Sequence, residues 1–174
     1  MRNDGIGNAK LIALNGILTA INVIILFLAT VAPTGRLSLY ALSSFLTAII
    51  VIEFGNHTAF VFFLVTGLLS FFVIPDKTGI VPYIVFFGFY GILKSYIEKI
   101  GRFVPEYLLK LASFNILVLI AFVFIKKFFF ENIPVGYPVW FLAAALEIVF
   151  IIYDYVYSLF IQYYLNRIRN ILKF

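Results

Sequence analysis

Polar positions are rare along this chain, and where they fall divides it into blocks. Long runs of Ile, Leu, Val, Phe and Ala are interrupted by "APTGR", "EFGNH", "IPDKTG", "EKIGRFVPE" and "ENIPVGYP". Each interruption holds Gly, Pro or charge, the residue types that punctuate regular structure. The runs between them cover approximately 10–32, 37–54, 57–74, 80–98, 107–129 and 138–164. A helix rises about 1.5 Å per residue, so about 20 residues cross about 30 Å of hydrocarbon. The pattern therefore predicts an all-α integral membrane protein with six transmembrane helices in one membrane domain over residues 1–174. The second and third segments are short and joined by a tight turn.

Composition strengthens this reading. Of 174 residues, 64% are hydrophobic and only 12% charged, whereas soluble domains run near half apolar and a quarter charged. A soluble fold of this size has too little interior for so much apolar surface, so the solvent is the bilayer. The first apolar run, roughly Leu11 to Ala32, is longer than the apolar core of a signal peptide and reads as a retained helix. Cysteine is absent and His57 is the single histidine, which excludes disulfides, thiolate metal sites and histidine-rich metal sites.

The net charge of +5 does not point to nucleic acid, because the basic residues flank apolar segments and form no dense cluster. They set orientation instead. Arg2, Lys10, Lys94, Lys99, Arg102, Lys110, Arg167, Arg169 and Lys173 fall on one side of a six-span topology. Arg36, Lys77, Lys126 and Lys127 fall on the other. The richer side is cytoplasmic, so both termini are expected there.

Ionisable groups at membrane depth are costly, and each is a functional candidate. Glu147 and Asp154 interrupt "ALEIVFIIYDYVY". Glu147 lies about nine residues into the last segment, roughly 14 Å deep at helical rise. Asp154 follows seven residues later on the same helix face. Lys94 has a depth similar to Asp154, so a Lys94–Asp154 ion pair is expected, with Glu98 a competitor for Lys94. Asn22, Asn115, Thr47 and Thr66 fall at the level of Glu147. Two readings stay open: these groups line a polar pocket opening outward, or Glu147 bonds Asn115 as interhelical glue. Glu53 and His57 belong to the inner turn. No enzyme constellation is present: Ser43 and Ser44 have no base nearby in sequence, and the glycines of "FFGFYG" suit close helix packing.

The first segment carries small residues four apart, Ala9 with Ala13 and Gly16 with Ala20. Such spacing flattens one side of a helix and admits another backbone, from this chain or a partner. With "AKLIALNGILTA" in the first segment and "AFVFFLVTGLLSFFVIP" in the third, the chain resembles a substrate-binding S component of the energy-coupling factor transporters. The resemblance extends over the whole chain in size, span number and orientation.

It implies a subunit of a prokaryotic plasma membrane with no enzymatic activity and no cofactor. Such a subunit captures a micronutrient or vitamin-like molecule from outside. It then docks on a transmembrane coupling subunit that carries two cytoplasmic ATPases. The implied docking face is Ala9, Ala13, Gly16 and Ala20. The implied pocket lies near "APTGRLSLY", "IPDKTGIVPY" and "ENIPVGYPVW", with Arg36, Tyr40, Tyr83, Trp140 and Glu147 as candidates. The alternative for the aromatic residues is an interfacial belt. The chain lacks the ligand signatures of the thiamine, riboflavin, biotin and folate members, so no particular ligand is implied. Two other functions remain open: a non-transport scaffold of cell-envelope assembly, and a self-contained carrier or channel. The latter often shows paired repeats, which are absent here.

Overall fold

The computed structural model describes the backbone of residues 4–128 and 139–169 and the side chains of 11–123 and 141–169. Among the described residues the regular structure is entirely helical. The helices are α1 (Asp4–Val31), α2 (Arg36–Val73), α3 (Gly88–Ile97), α4 (Phe103–Phe128) and α5 (Val139–Tyr163). A 3₁₀ turn at Lys77–Ile80 and a π-turn at Tyr83–Phe87 lead into α3, and a second π-turn, Tyr164–Ile168, extends α5. Among the described residues five stretches are long and apolar enough to cross a membrane: Leu11–Val31, Arg36–Val73, Lys77–Ile100, Phe103–Val123 and Phe141–Ile168.

The two short segments expected on either side of "EFGNH" are the two arms of α2, which is broken at Gly55. Its 38 residues would measure about 57 Å if straight, nearly twice the hydrocarbon thickness. It is not straight. Gly55 has φ 82° and ψ 174°, a conformation almost confined to glycine. Thr47 and Thr66, on opposite sides of Gly55, both approach the hydroxyl of Tyr83. In a straight helix they would stand roughly 28 Å apart. The two arms of α2 therefore run back alongside each other, each roughly 27 Å long. At the turn, Ser95 of α3 donates to Asn56 Oδ1 at 2.7 Å, which ties the hairpin tip to the next helix.

The chain forms two compact units, Met1–Lys99 and Ile100–Phe174. In the first, α2 packs against both α1 and α3. Near the turn its core is apolar: Ile50, Ala59, Phe62 and Ile92, with Leu18, Leu46, Val51, Phe54, Phe63 and Phe89 packed around them. At the far end, Tyr40 stacks on Phe87 with centroids 5.5 Å apart and donates to the Gly79 carbonyl. Lys77 caps the end of α2 there, donating to the Ile74 carbonyl at 2.7 Å and to that of Phe71. A cation at a helix C-terminus suits the exposed carbonyls.

In the second unit, three contacts set α4 against α5 in antiparallel register. Lys110 pairs with Asp154 at 3.3 Å, the Phe114 and Phe150 rings stack at 4.3 Å, and Asn115 donates to Glu147. As the α4 number rises, the α5 number falls by a similar amount, the signature of helices running opposite ways.

Candidate functional site

A layer of polar side chains lies inside the first unit between the apolar core and the stacked aromatic end. Asn22, Ser43, Ser44, Thr47, Thr66, Ser70 and Tyr83 are all 0% exposed. Their positions follow from helix geometry. Thr47 and Thr66 face each other across the α2 hairpin at the Tyr83 hydroxyl. Ser43 precedes Thr47 by four residues and Ser70 follows Thr66 by four, so each stands one turn, about 5.4 Å, further from Gly55. The result is two rungs, threonines below and serines above. Asn22 joins from α1, its amide donating to Tyr83 Oη at 3.4 Å.

Tyr83 reaches this layer because residue 88 is glycine. A Cβ on Gly88 would come within 2.7 Å of both Tyr83 Cζ and Phe63 Cδ2. The π-turn that ends at Gly88 delivers the ring against it. Such turns are often retained at functional sites.

The layer is not satisfied by its own contacts. Asn22 Oδ1 and the hydroxyls of Ser43, Thr47, Thr66 and Ser70 are buried without a hydrogen-bond partner. Thr47 and Thr66 lie close to Tyr83 Oη but do not complete a bond of good geometry. Each such group costs about 1–3 kcal/mol when left unpaired, and a bilayer offers no solvent to repair it. Ser44 differs, donating to the Ala41 carbonyl at 2.7 Å.

The candidate residues divide by unit. Asn22 and Tyr83 come together in the first unit, and Tyr83 is fully buried rather than part of an interfacial belt. Tyr40 lies at the aromatic end. Arg36 is exposed and donates to the Ala32 carbonyl at 2.9 Å. In the loop beside it, Thr78 donates its hydroxyl at 2.6 Å and its backbone N–H at 3.0 Å to Asp76 Oδ1. The Thr78 hydroxyl foremost holds the Asp76 carboxyl below its ordinary range, with backbone N–H groups and the Arg36 charge acting the same way.

Asn115 and Glu147 meet in the second unit, where Glu147 Oε2 is buried without a partner. The side chain of Trp140 lies outside the described residues, as does that of Ala9. Ala13, Gly16 and Ala20 are exposed along α1, and a Cβ on Gly16 would meet nothing within 4 Å.

The ion pair expected between Lys94 and Asp154 joins residues of different units, and each has a partner within its own. Lys94, 1% exposed, pairs with Glu98 at 2.8 Å, the competitor named from sequence, while Asp154 pairs with Lys110. Lys110 was counted only as a flanking cation. Its place opposite Asp154 depends on the α4–α5 register, which no local pattern reveals. Ser43 and Ser70 were missed as partners of Thr47 and Thr66. Their signal was a pair of hydroxyl residues four apart on each side of Gly55. No cluster of metal-ligating residues occurs among the described residues. No family model, curated protein or solved structure matches the chain.

Proposed function

We propose that this chain is a substrate-capture subunit of the S-component kind, a six-span membrane protein with both termini cytoplasmic. It takes up an uncharged or weakly polar micronutrient from outside and hands it to a transmembrane coupling subunit with two ATPases. It performs no reaction itself. The observation that carries this reading is the unsatisfied polar layer around Tyr83. Five buried oxygens without partners inside a lipid-embedded helix bundle are costly for a purely structural protein and useful for one that binds a polar guest. The exposed face of Ala13, Gly16 and Ala20 on α1 supports a docking role, because a flat small-residue surface accepts a second helix closely. In this reading the substrate contacts centre on Asn22, Thr47, Thr66 and Tyr83, with Tyr40 and Arg36 at the outer end.

Native purification followed by mass spectrometry tests the proposal. A coupling subunit with ATPases and a released small molecule are the expected companions. Repeated recovery of the bare chain, fully solubilised, would sink it. Ala13→Trp should abolish subunit recovery while leaving the fold and any bound molecule intact.

The second reading is a scaffold of cell-envelope assembly. It is favoured by the second unit, where Asn115–Glu147 and Lys110–Asp154 make helix-to-helix contacts. Recovery of a small molecule separates the two functions, and Glu147→Gln decides the role of Glu147 alone: weakened recovery assigns it to the ligand, and unchanged recovery leaves it as glue.

A further inference from the structure

We infer that the two-rung layer between the arms of α2 is a binding site for uncharged hydroxylic groups, either ordered water or the alcohol groups of a small solute, and that it excludes ions. The inference rests on the same site as the proposed function and specifies the chemistry of what enters it.

The unpaired atoms define the complement. Asn22 Oδ1 only accepts, whereas each hydroxyl of Ser43, Thr47, Thr66 and Ser70 can donate one hydrogen bond and accept others. A guest must therefore donate to the amide oxygen and both donate to and accept from the hydroxyls. An O–H group does both, and one such group at each rung pairs every orphan. A carboxylate or a fully ionised phosphate ester group offers acceptors only and leaves Asn22 Oδ1 unpaired.

Charge gives the same answer. None of the layer residues is ionised at neutral pH. The described charged side chains of this unit stand at its two ends: Arg36, Asp76 and Lys77 beside the aromatic end, and Glu53, Lys94, Glu98 and Lys99 beside the hairpin turn. A charged guest would lie between them without a counter-charge, where desolvation disfavours it strongly. Geometry weighs against a bare cation too. One ion gathers its oxygens within about 2.6 Å of a point, whereas these partners are strung over rungs about 5.4 Å apart.

Tyr83 supplies a reporter, because hydroxyl radicals formed from adjacent bound water oxidise a tyrosine ring that bulk solvent does not reach. Tyr157, equally buried at 0% exposure, serves as the internal reference. Radiolytic footprinting of the full chain in lipid nanodiscs should oxidise Tyr83 about fivefold faster than Tyr157 if water fills the site. Equilibrium binding of radiolabelled glycerol reads the solute arm. Saturable glycerol binding identifies a solute site, and fast Tyr83 oxidation without it identifies water.

In either case the signal should fall to background in the Thr47→Val, Thr66→Val double variant, and partly in Ser43→Ala should the double variant fold poorly. Thermal midpoint gives an independent sign. Thr66→Val lowers it if the hydroxyl is partnered by a guest and raises it if the hydroxyl is dry. Tyr83 oxidised no faster than Tyr157 with no saturable glycerol binding would overturn the inference. So would a signal unchanged in the variants, or saturable binding of sodium or glycerol 3-phosphate that the variants remove. Failure to recover a coupling subunit would sink the proposed function yet leave the water arm standing, so the two ideas fail separately.

Discussion

Single residues decide how the polar layer is built. Gly88 admits the Tyr83 ring to the interior, since a methyl group there would press on two aromatic rings at once. Gly88→Ala should lower stability by about 1–3 kcal/mol, the usual cost of overpacking, and should be visible as a drop in thermal midpoint. It should also move the Tyr83 hydroxyl away from Asn22. An unchanged midpoint would mean the rings shift aside freely. At the exposed loop, the Asp76 carboxylate is held below its ordinary range by the Thr78 hydroxyl. A depressed pKa stabilises the fold above the ordinary value, and that contribution is lost as pH falls through the lowered one. Acidification below about pH 4 should therefore cost the parent chain more stability than Asp76→Asn, as read by thermal midpoints across pH 5 to 3. The glycines of "FFGFYG" were legible as packing residues. Which ring they accommodate was not, because that depends on Phe63 from another helix.

At the scale of elements, the hairpin of α2 and the α4–α5 pair are held by different means. The hairpin depends on a backbone conformation at Gly55, and the pair on matched side chains. Removing Asp154 alone leaves the Lys110 ammonium, 7% exposed, without its described carboxylate. Asp154→Ala should thus destabilise by about 3–5 kcal/mol, whereas the double variant Lys110→Met, Asp154→Leu should recover most of that loss. A double-mutant cycle on urea or thermal unfolding measures the difference, and equal losses in single and double variants would show that the pair adds little. The sequence pattern placed five breaks between six apolar runs. Those at "APTGR", "IPDKTG" and "EKIGRFVPE" fall where helices end or change type, and "ENIPVGYP" lies outside the described residues. The break at "EFGNH" was expected as a tight turn between two short segments, and it is a turn made at one residue, Gly55, because one positive φ reorients everything that follows.

For the whole molecule, orientation and span number are the open consequences. The absence of cysteine makes the chain suitable for single-cysteine mapping. In intact cells, Thr78→Cys should react with a membrane-impermeant maleimide, while His57→Cys should react only after lysis. The reverse pattern would invert the topology, and reaction of both in intact cells would deny that α2 turns back within the membrane. Much of this protein follows from its composition and the spacing of its polar residues. Apolar runs near 20 residues dictate helices in lipid, because only internal hydrogen bonding satisfies a backbone there, and this is a local requirement that any stretch of chain displays. The depth arithmetic put Asn22, Thr47, Thr66 and Asn115 together at the level of Glu147. Depth, however, is one coordinate. Which groups at that level meet depends on helix rotation and on which helices are neighbours, both set by packing between residues far apart in sequence. Tertiary structure alone therefore gathered Asn22, Thr47 and Thr66 around Tyr83 and paired Asp154 with Lys110, and it realised the Asn115–Glu147 bond that the sequence offered as one of two readings.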